Sequence, residues 1–397
     1  MARLMALSVF LWMPRLVASG LLPSTMRMSS EPAGNSPCPC ADLSLCKTPT
    51  VQHEREFFGF GGSTWRTLDW THVTTVAWAH DVEMVCKAHE AGARRIAAAP
   101  GYVFSPDPEV RRAWIDNLIE IMKTQFFDGV TFDYEDPLDQ TPGSPTFDNM
   151  TYYVALINET TRALHAAIPG SQTSVCVAWS PDDIDGRNYD FATLAAASDL
   201  MYVMLYDTQS QIFGRCIASA NSPLGLAQRG IQRYLQLGIP AEKLIMGTPW
   251  YGYMYPCLNA GPEAETCNLK LVPFRGVKCS DAAGSEVGFM HIMNLLDRGV
   301  CPPGVKGTCK VSRAISWDNS TSSPYFNFVA GSQSYQVWFD NAASSALKYS
   351  AAAKLGIRGV GPYTWSDLDS DGTVTGNPAA PAEARSMWDA LGAFQPP

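Results

Sequence analysis

Phe127-Asp128-Gly129-Val130-Thr131-Phe132-Asp133-Tyr134-Glu135 is the stretch on which the fold turns. From Gly129 to Glu135 it is short and rich in β-branched and aromatic residues, and it reads as a strand. Alternation places Thr131, Asp133 and Glu135 on one face and Val130, Phe132 and Tyr134 on the other. A strand apolar on both faces belongs to a parallel sheet covered on either side. Two carboxylates at the end of such a strand are costly in desolvation and repulsion, so their presence points to chemistry.

Seven further runs of this kind occur, at 57–61, 73–79, 94–99, 173–180, 200–207, 243–250 and 356–365. Helical periodicity occupies the gaps, as in Pro108 to Thr124, Thr151 to Ile168 and Asn341 to Lys354. Eight strands alternating with helices predict an α/β fold, a (β/α)8 barrel, whose active site lies at the C-terminal strand ends. Asp133 and Glu135 fall at such an end. The spacing breaks once: residues 251–335 are too many for an ordinary barrel loop. They are expected to form an insertion after the seventh strand, on the C-terminal face, walling a cleft within a catalytic domain spanning 38–397.

Composition narrows the function. Of 397 residues, 46% are hydrophobic and 17% charged, and the glycines show no fixed period, which excludes disordered and collagen-like chains. With 29 basic against 38 acidic side chains and no basic cluster, nucleic acid is not an expected partner. Residues 1–30 read as a signal peptide, with Arg3 ahead of the apolar run Leu4 to Met13. That run falls short of the roughly 20 residues a membrane span needs, so none is expected in the mature chain. Behind a leader the sequons at Asn149, Asn158 and Asn319 become glycosylation acceptors.

Ten of the 11 cysteines lie outside obvious strand cores and suit disulfides, with Cys257/Cys267 and Cys301/Cys309 spaced for local loops. Cys176, inside the apolar run Thr173 to Trp179, reads as a buried thiol. Neither metal nor cofactor is expected. Cys38-Pro39-Cys40 is a residue short of zinc spacing, and the Asp367-Leu368-Asp369-Ser370-Asp371-Gly372 run has Pro378 where a calcium loop needs a bidentate Glu. Gly59-Phe60-Gly61-Gly62 lacks the third glycine of a dinucleotide cradle.

An Asp and Glu pair suits glycoside cleavage, in which a leaving oxygen is protonated while positive charge builds at the anomeric carbon. On this reading the Asp133 anion raises the proton affinity of Glu135. The sequence resembles glycoside hydrolase family 18. That family's signature, an Asp-Gly opening followed by Asp-x-Asp-x-Glu, falls on Asp128-Gly129 and Thr131 to Glu135, with Thr131 standing where most family chitinases carry the first Asp. Further matches are Met204-Leu205-Tyr206-Asp207, Gly247-Thr248-Pro249-Trp250-Tyr251-Gly252 and Gln336-Val337-Trp338-Phe339-Asp340-Asn341.

The resemblance implies a retaining, substrate-assisted glycosidase that cleaves β-1,4 bonds between N-acetylglucosamine units. Its substrates would be N-acetylglucosamine oligosaccharides and asparagine-linked glycan cores, trimmed from the reducing end in lysosomes by a monomer. Glu135 would be the acid and base, Asp133 would hold the acetamido group, and Tyr206 would bind its oxygen. Sugar contacts are implied for Met204, Trp179, Trp250 and Asp207, which either meets hydroxyls or orients Tyr206. Tyr363 and Trp365 compete as the ring flooring the sugar, and Asp128 is a buried support. The rival readings are an endo-acting chitinase, which cleft length decides, and a non-catalytic lectin, which the retained Glu135 disfavours.

Overall fold

The computed structural model describes residues 38–394 apart from 52 and 259. The expected signal peptide at 1–30 lies outside the described residues. The strands are β1 (Glu56–Phe60), β2 (Thr75–Ala77), β3 (Arg94–Ala98), β4 (Gly129–Phe132), β5 (Leu138–Asp139), β6 (Gln172–Val177), β7 (Arg187–Asn188), β8 (Leu200–Met204), β9 (Leu244–Pro249), β10 (Tyr251–Pro256), β11 (Ser285–Gly288), β12 (Cys309–Asp318), β13 (Ser323–Ala330), β14 (Gln333–Trp338) and β15 (Gly359–Tyr363). Eight of them close a barrel in the order β1-β15-β9-β8-β6-β4-β3-β2, and every neighbouring pair is parallel. These are the eight runs read from the sequence, shortened at one or both ends, with β1 and β6 starting one residue earlier than read.

The helices are α1 (Met84–Glu90), α2 (Pro108–Gln125), α3 (Phe147–Ala167), α4 (Phe191–Ala197), α5 (Leu224–Gln236), α6 (Phe289–Arg298), α7 (Ala342–Lys354) and α8 (Ala380–Ala390). Local signals set their ends. Asp107 caps α2 by accepting from the Glu109 N–H, with Pro108 in the first turn, and Asn341 caps α7 by accepting from Ser344. Val130, Phe132, Val175, Val177, Met201, Val203 and Met246 point outward into the layer shared with the helices. Phe58, Phe60, Ile96, Cys176, Tyr202 and Ile245 fill the barrel interior. Gly129 is required where β4 meets β6, because a Cβ there would lie 1.9 Å from the Gln172 carbonyl oxygen.

The segment expected at 251–335 forms a five-stranded antiparallel sheet, ordered β11-β10-β14-β13-β12, between Tyr251 and Trp338. Cys257–Cys267 and Cys301–Cys309 close local loops, and Cys216–Cys279 ties the segment to the loop after β8. Cys38–Cys46 closes a local loop in the first described residues, Cys40–Cys86 binds them to α1, and Cys176 is buried and unpaired. Cys38, Cys40 and Cys46 lie close together, but their sulfurs are committed to these bridges. Among the described residues no helix is long and apolar enough to cross a membrane.

Asp128, just before β4, secures the N-terminal end of the barrel. Its Oδ2 accepts from the Arg95 backbone N–H at 2.7 Å and meets His89 Nε2 at 2.8 Å, while His89 Nδ1 faces the Leu45 carbonyl at 2.7 Å. Asp128, His89 and Arg95 are all buried. Removing one partner of a buried ionic contact strands the others, so Asp128→Ala is expected to lose about 3–5 kcal/mol of stability. Urea unfolding checks this, and turnover per folded molecule should be unchanged because the site lies at the opposite end of the strands.

Candidate active site

The β4 ladder stops at Phe132 instead of running to Glu135. The Asp133 N–H donates to Tyr102 Oη at 2.8 Å, leaving the sheet hydrogen-bonding pattern. Alternation nevertheless persists: Tyr134 packs against the outer core, while Asp133 and Glu135 line a cleft of about 300 Å³. Strand ends supply Phe60, Trp78, Trp179, Met204, Tyr206, Asp207 and Tyr363, and the insertion supplies Tyr251, Tyr253, Phe274, Asp281 and Glu286. Such a place, at the C-terminal mouth of a parallel barrel, is where active sites form.

Burial weighs on Asp133 rather than on Glu135, contrary to the division of labour expected from the motif. Asp133 is half-buried, and its Oδ1 is enclosed with no hydrogen-bond partner among the described residues. Desolvation first, and the Glu135 charge second, push its carboxyl up to about 7. Beneath it the barrel is neutral: Thr131 Oγ1 accepts from Ser174 Oγ at 2.9 Å and lies 3.8 Å from Cys176 Sγ. The Glu135 side chain is 52% exposed, and its Oε2 accepts from Arg187 Nη1 at 2.8 Å.

Tyr363 lines the cleft. Its ring stacks on Tyr206 at 5.4 Å and meets Trp78 edge-on at 5.8 Å. Trp365 does not reach the cleft: it is fully buried and stacked on Trp388 at 5.0 Å. The expectation for Trp250 is corrected in the same way, since it packs edge-on against both rings at 5.3 Å and directs Nε1 to Tyr349 Oη. Trp250 continues the outward face of Met246 and Thr248, whereas the 3-10 turn Trp365–Asp367 ends the strand alternation that had made Trp365 a candidate. Trp179 and Met204 line the cleft.

Asp207 takes a left-handed conformation at φ 53° and is fixed through its N–H, which donates to Asn221 Oδ1 at 2.7 Å. Its carboxylate accepts from Tyr251 Oη, so its ring partner is Tyr251 and not Tyr206. Desolvation pushes Asp207 up to about 8, with Asp281 and Glu286 adding to the shift against the Tyr251 hydrogen bond. Asp281 rises to about 7, again by burial first and then by Asp185. Trp78, Asp185, Arg187, Tyr253, Phe274, Asp281 and Glu286 are cleft residues that sequence reading missed. Trp78 alone carried a local signal, standing at the end of the 73–79 run.

Residues 97–369 match the model for glycosyl hydrolases family 18. The chain belongs to that family. It is 38% identical to rat di-N-acetylchitobiase, covering 94% of this chain and 95% of the relative, and 36% identical to the human protein of that name, covering 90% and 89%. The fold is shared with an Ostrinia furnacalis Group IV chitinase solved with allosamidin, at TM-score 0.63, 17% identity and coverage of 86% and 100%. A Nicotiana tobaccum Class V chitinase, solved as a mutant in complex with NAG4, gives TM-score 0.63 at 16% identity, with the same coverage. This family 18 chain is therefore a glycosidase built on a (β/α)8 barrel.

The cleft carboxyls give the hydrolase a pH-dependent stability. A carboxyl whose folded value is raised binds more protons in the native state than in the unfolded one, so its contribution is present in acid and lost as pH rises through the folded value. With Asp133 and Asp281 near about 7 and Asp207 near about 8, the thermal midpoint should fall between about pH 4 and about pH 8. Asp207→Asn should flatten that decline, and melting curves across the range check it.

Proposed function

We propose that the enzyme cleaves the β-1,4 bond between N-acetylglucosamine units by a retaining, substrate-assisted route, acting on the chitobiose core of asparagine-linked glycans from the reducing end. The observation that carries this reading is the joint placement of an accessible Glu135 and a desolvated Asp133, its carboxyl pushed up to about 7, beside the Tyr206 and Tyr363 rings. Glu135 protonates the leaving oxygen and later takes a proton from water. The sugar's own acetamido oxygen attacks the anomeric carbon, so no enzyme nucleophile is required. Asp133 holds the acetamido N–H and stabilises the oxazolinium cation, and Tyr206 directs the acetamido oxygen. Trp179, Met204 and Asp207 contact the sugars.

Cleavage from the reducing end is supported by the wall beyond Glu135, where the leaving sugar must sit. Arg275 reaches from the insertion to donate from Nη1 to the Glu135 and Asp185 carbonyls, each at 2.9 Å. Its own carbonyl accepts from Gln211 Nε2 at 2.8 Å. This strap shortens the leaving-group side, which disfavours an endo-acting cleft. Lysosomal residence is supported by the signal-like leader, the sequons, the five disulfides and cleft carboxyls that favour acid.

Glu135→Gln should reduce kcat by about 10²–10⁴-fold or more while sugar binding persists, because the amide keeps the shape but has no proton to give. Normal turnover in the folded variant would remove Glu135 from this role. Digestion of a reducing-end-labelled chitin oligomer should release labelled monosaccharide first. A labelled disaccharide or longer first product would contradict the polarity.

A further inference from the structure

Each nitrogen of the guanidinium facing Glu135 has a partner. Arg187 Nη1 donates to Glu135 Oε2 at 2.8 Å, Nη2 donates to Asp185 Oδ2 at 2.9 Å, and Nε donates to the Ile184 carbonyl at 3.3 Å. Asp185 is steadied in turn, its Oδ1 accepting from Ser210 Oγ at 2.9 Å and its N–H donating to Gln211 Oε1 at 3.0 Å. The Arg187 side chain is only 7% exposed, against 52% for that of Glu135. Its three nitrogens already have partners, which leaves the acid itself as the group on which it acts. Burial alone would weaken the hold of Arg187 on its proton, but Glu135 and Asp185 together outweigh it and the group stays cationic.

A cation in contact with a carboxyl favours the anion. Acid catalysis needs the reverse, because Glu135 must bring a proton to the leaving oxygen. Its neighbours divide accordingly. Asp133 and Asp136 flank it on its own loop, Asp185 stands beside Arg187, Tyr189 follows β7, Tyr102 follows β3 and Asp207 follows β8. The other nearby cation, Arg275, meets the Glu135 carbonyl and the Asp136 carboxylate but not the Glu135 carboxylate. Among the described residues, Arg187 is the cation that grips the acid.

Building on the acid role proposed above for Glu135, we propose that Arg187 is a positioning residue that holds Glu135 as a carboxylate between turnovers, leaving the proton of the Asp133 and Glu135 pair on Asp133 until the sugar displaces the Arg187 contact. The proton then passes from Asp133 to Glu135 and on to the glycosidic oxygen as the C–O bond breaks. Asp133 is left as the anion that faces the oxazolinium. In the second half of the cycle water adds to the anomeric carbon as its bond to the acetamido oxygen breaks and the neutral acetamide is restored; the water gives its proton to Glu135, which returns it to Asp133, and the Arg187 contact re-forms. No other reactant is consumed.

The pH profile of kcat/KM tests this, because its basic limb reports loss of the one proton that the Asp133 and Glu135 pair holds in the free enzyme, which Arg187 makes easier to lose. Arg187→Gln should move that limb upward by about 1–3 pH units, the usual effect of removing an adjacent opposite charge. Asp185→Asn should move it downward, since the cation would then be shared with one carboxylate fewer. Arg187→Lys keeps the charge but loses the two-armed grip, so kcat should fall with the limb near its native position. A purely structural Arg187 would lower activity in step with the folded fraction and leave the limb where it was in every variant. An unmoved limb in Arg187→Gln of native circular dichroism and thermal midpoint overturns the proposal. Should that variant fail to fold, an unmoved or rising limb in Asp185→Asn overturns it and a falling one supports it. Native turnover in Glu135→Gln would instead defeat the acid reading on which the proposal rests.

Discussion

Carboxyls drawn out of water at the mouth of the barrel are the constraint to which the rest of the structure responds. Each is handled differently. Asp133 has no hydrogen-bond partner for Oδ1 among the described residues, and desolvation pushes its carboxyl up to about 7. Glu135 stays accessible and is balanced by Arg187, while Asp207 is partly compensated by Tyr251. The proposed acid chemistry depends on that inequality, because two carboxyls of one motif divide the roles of proton reservoir and proton carrier only when their surroundings differ.

The barrel alone would not produce that difference. Its strand ends present Asp133, Met204 and Tyr363 to one opening, but the desolvation comes from what covers them. Tyr251 and Tyr253 enter on β10, and Asp281 arrives two residues beyond Cys279, which is bonded to Cys216. Arg275 then ties the insertion to the Glu135 and Asp185 carbonyls. The insertion thus supplies both the cover that alters the carboxyls and the strap that, on the proposed polarity, shortens the cleft. These two effects share one set of contacts, so a change at the strap should be felt in both.

The barrel was legible in the sequence because burial of both strand faces enforces short apolar runs, and all eight were readable. The local bridges Cys257–Cys267 and Cys301–Cys309 were legible from spacing, and Cys216–Cys279 was not, because its halves are 63 residues apart. Alternation placed Asp133 and Glu135 on the same face. Applied to β9 it would also have turned Trp250 outward with Met246 and Thr248, a signal that the motif overrode. Arg187 carried no local signal: it meets Glu135 across 52 residues, and only the packing of the loops after β4 and β6 brings the two together.

The central claim is that the acetamido group of the sugar, and not a protein carboxylate or a directly attacking water, reaches the anomeric carbon first. The most direct measurement is time-resolved proton NMR of a chitin oligomer during cleavage, observing the newly formed reducing end before it mutarotates. The account predicts the β anomer first, with an N-acetylglucosamine-derived thiazoline competing for the cleft as a mimic of the cyclic intermediate. First appearance of the α anomer, with no competition from the thiazoline, would contradict it.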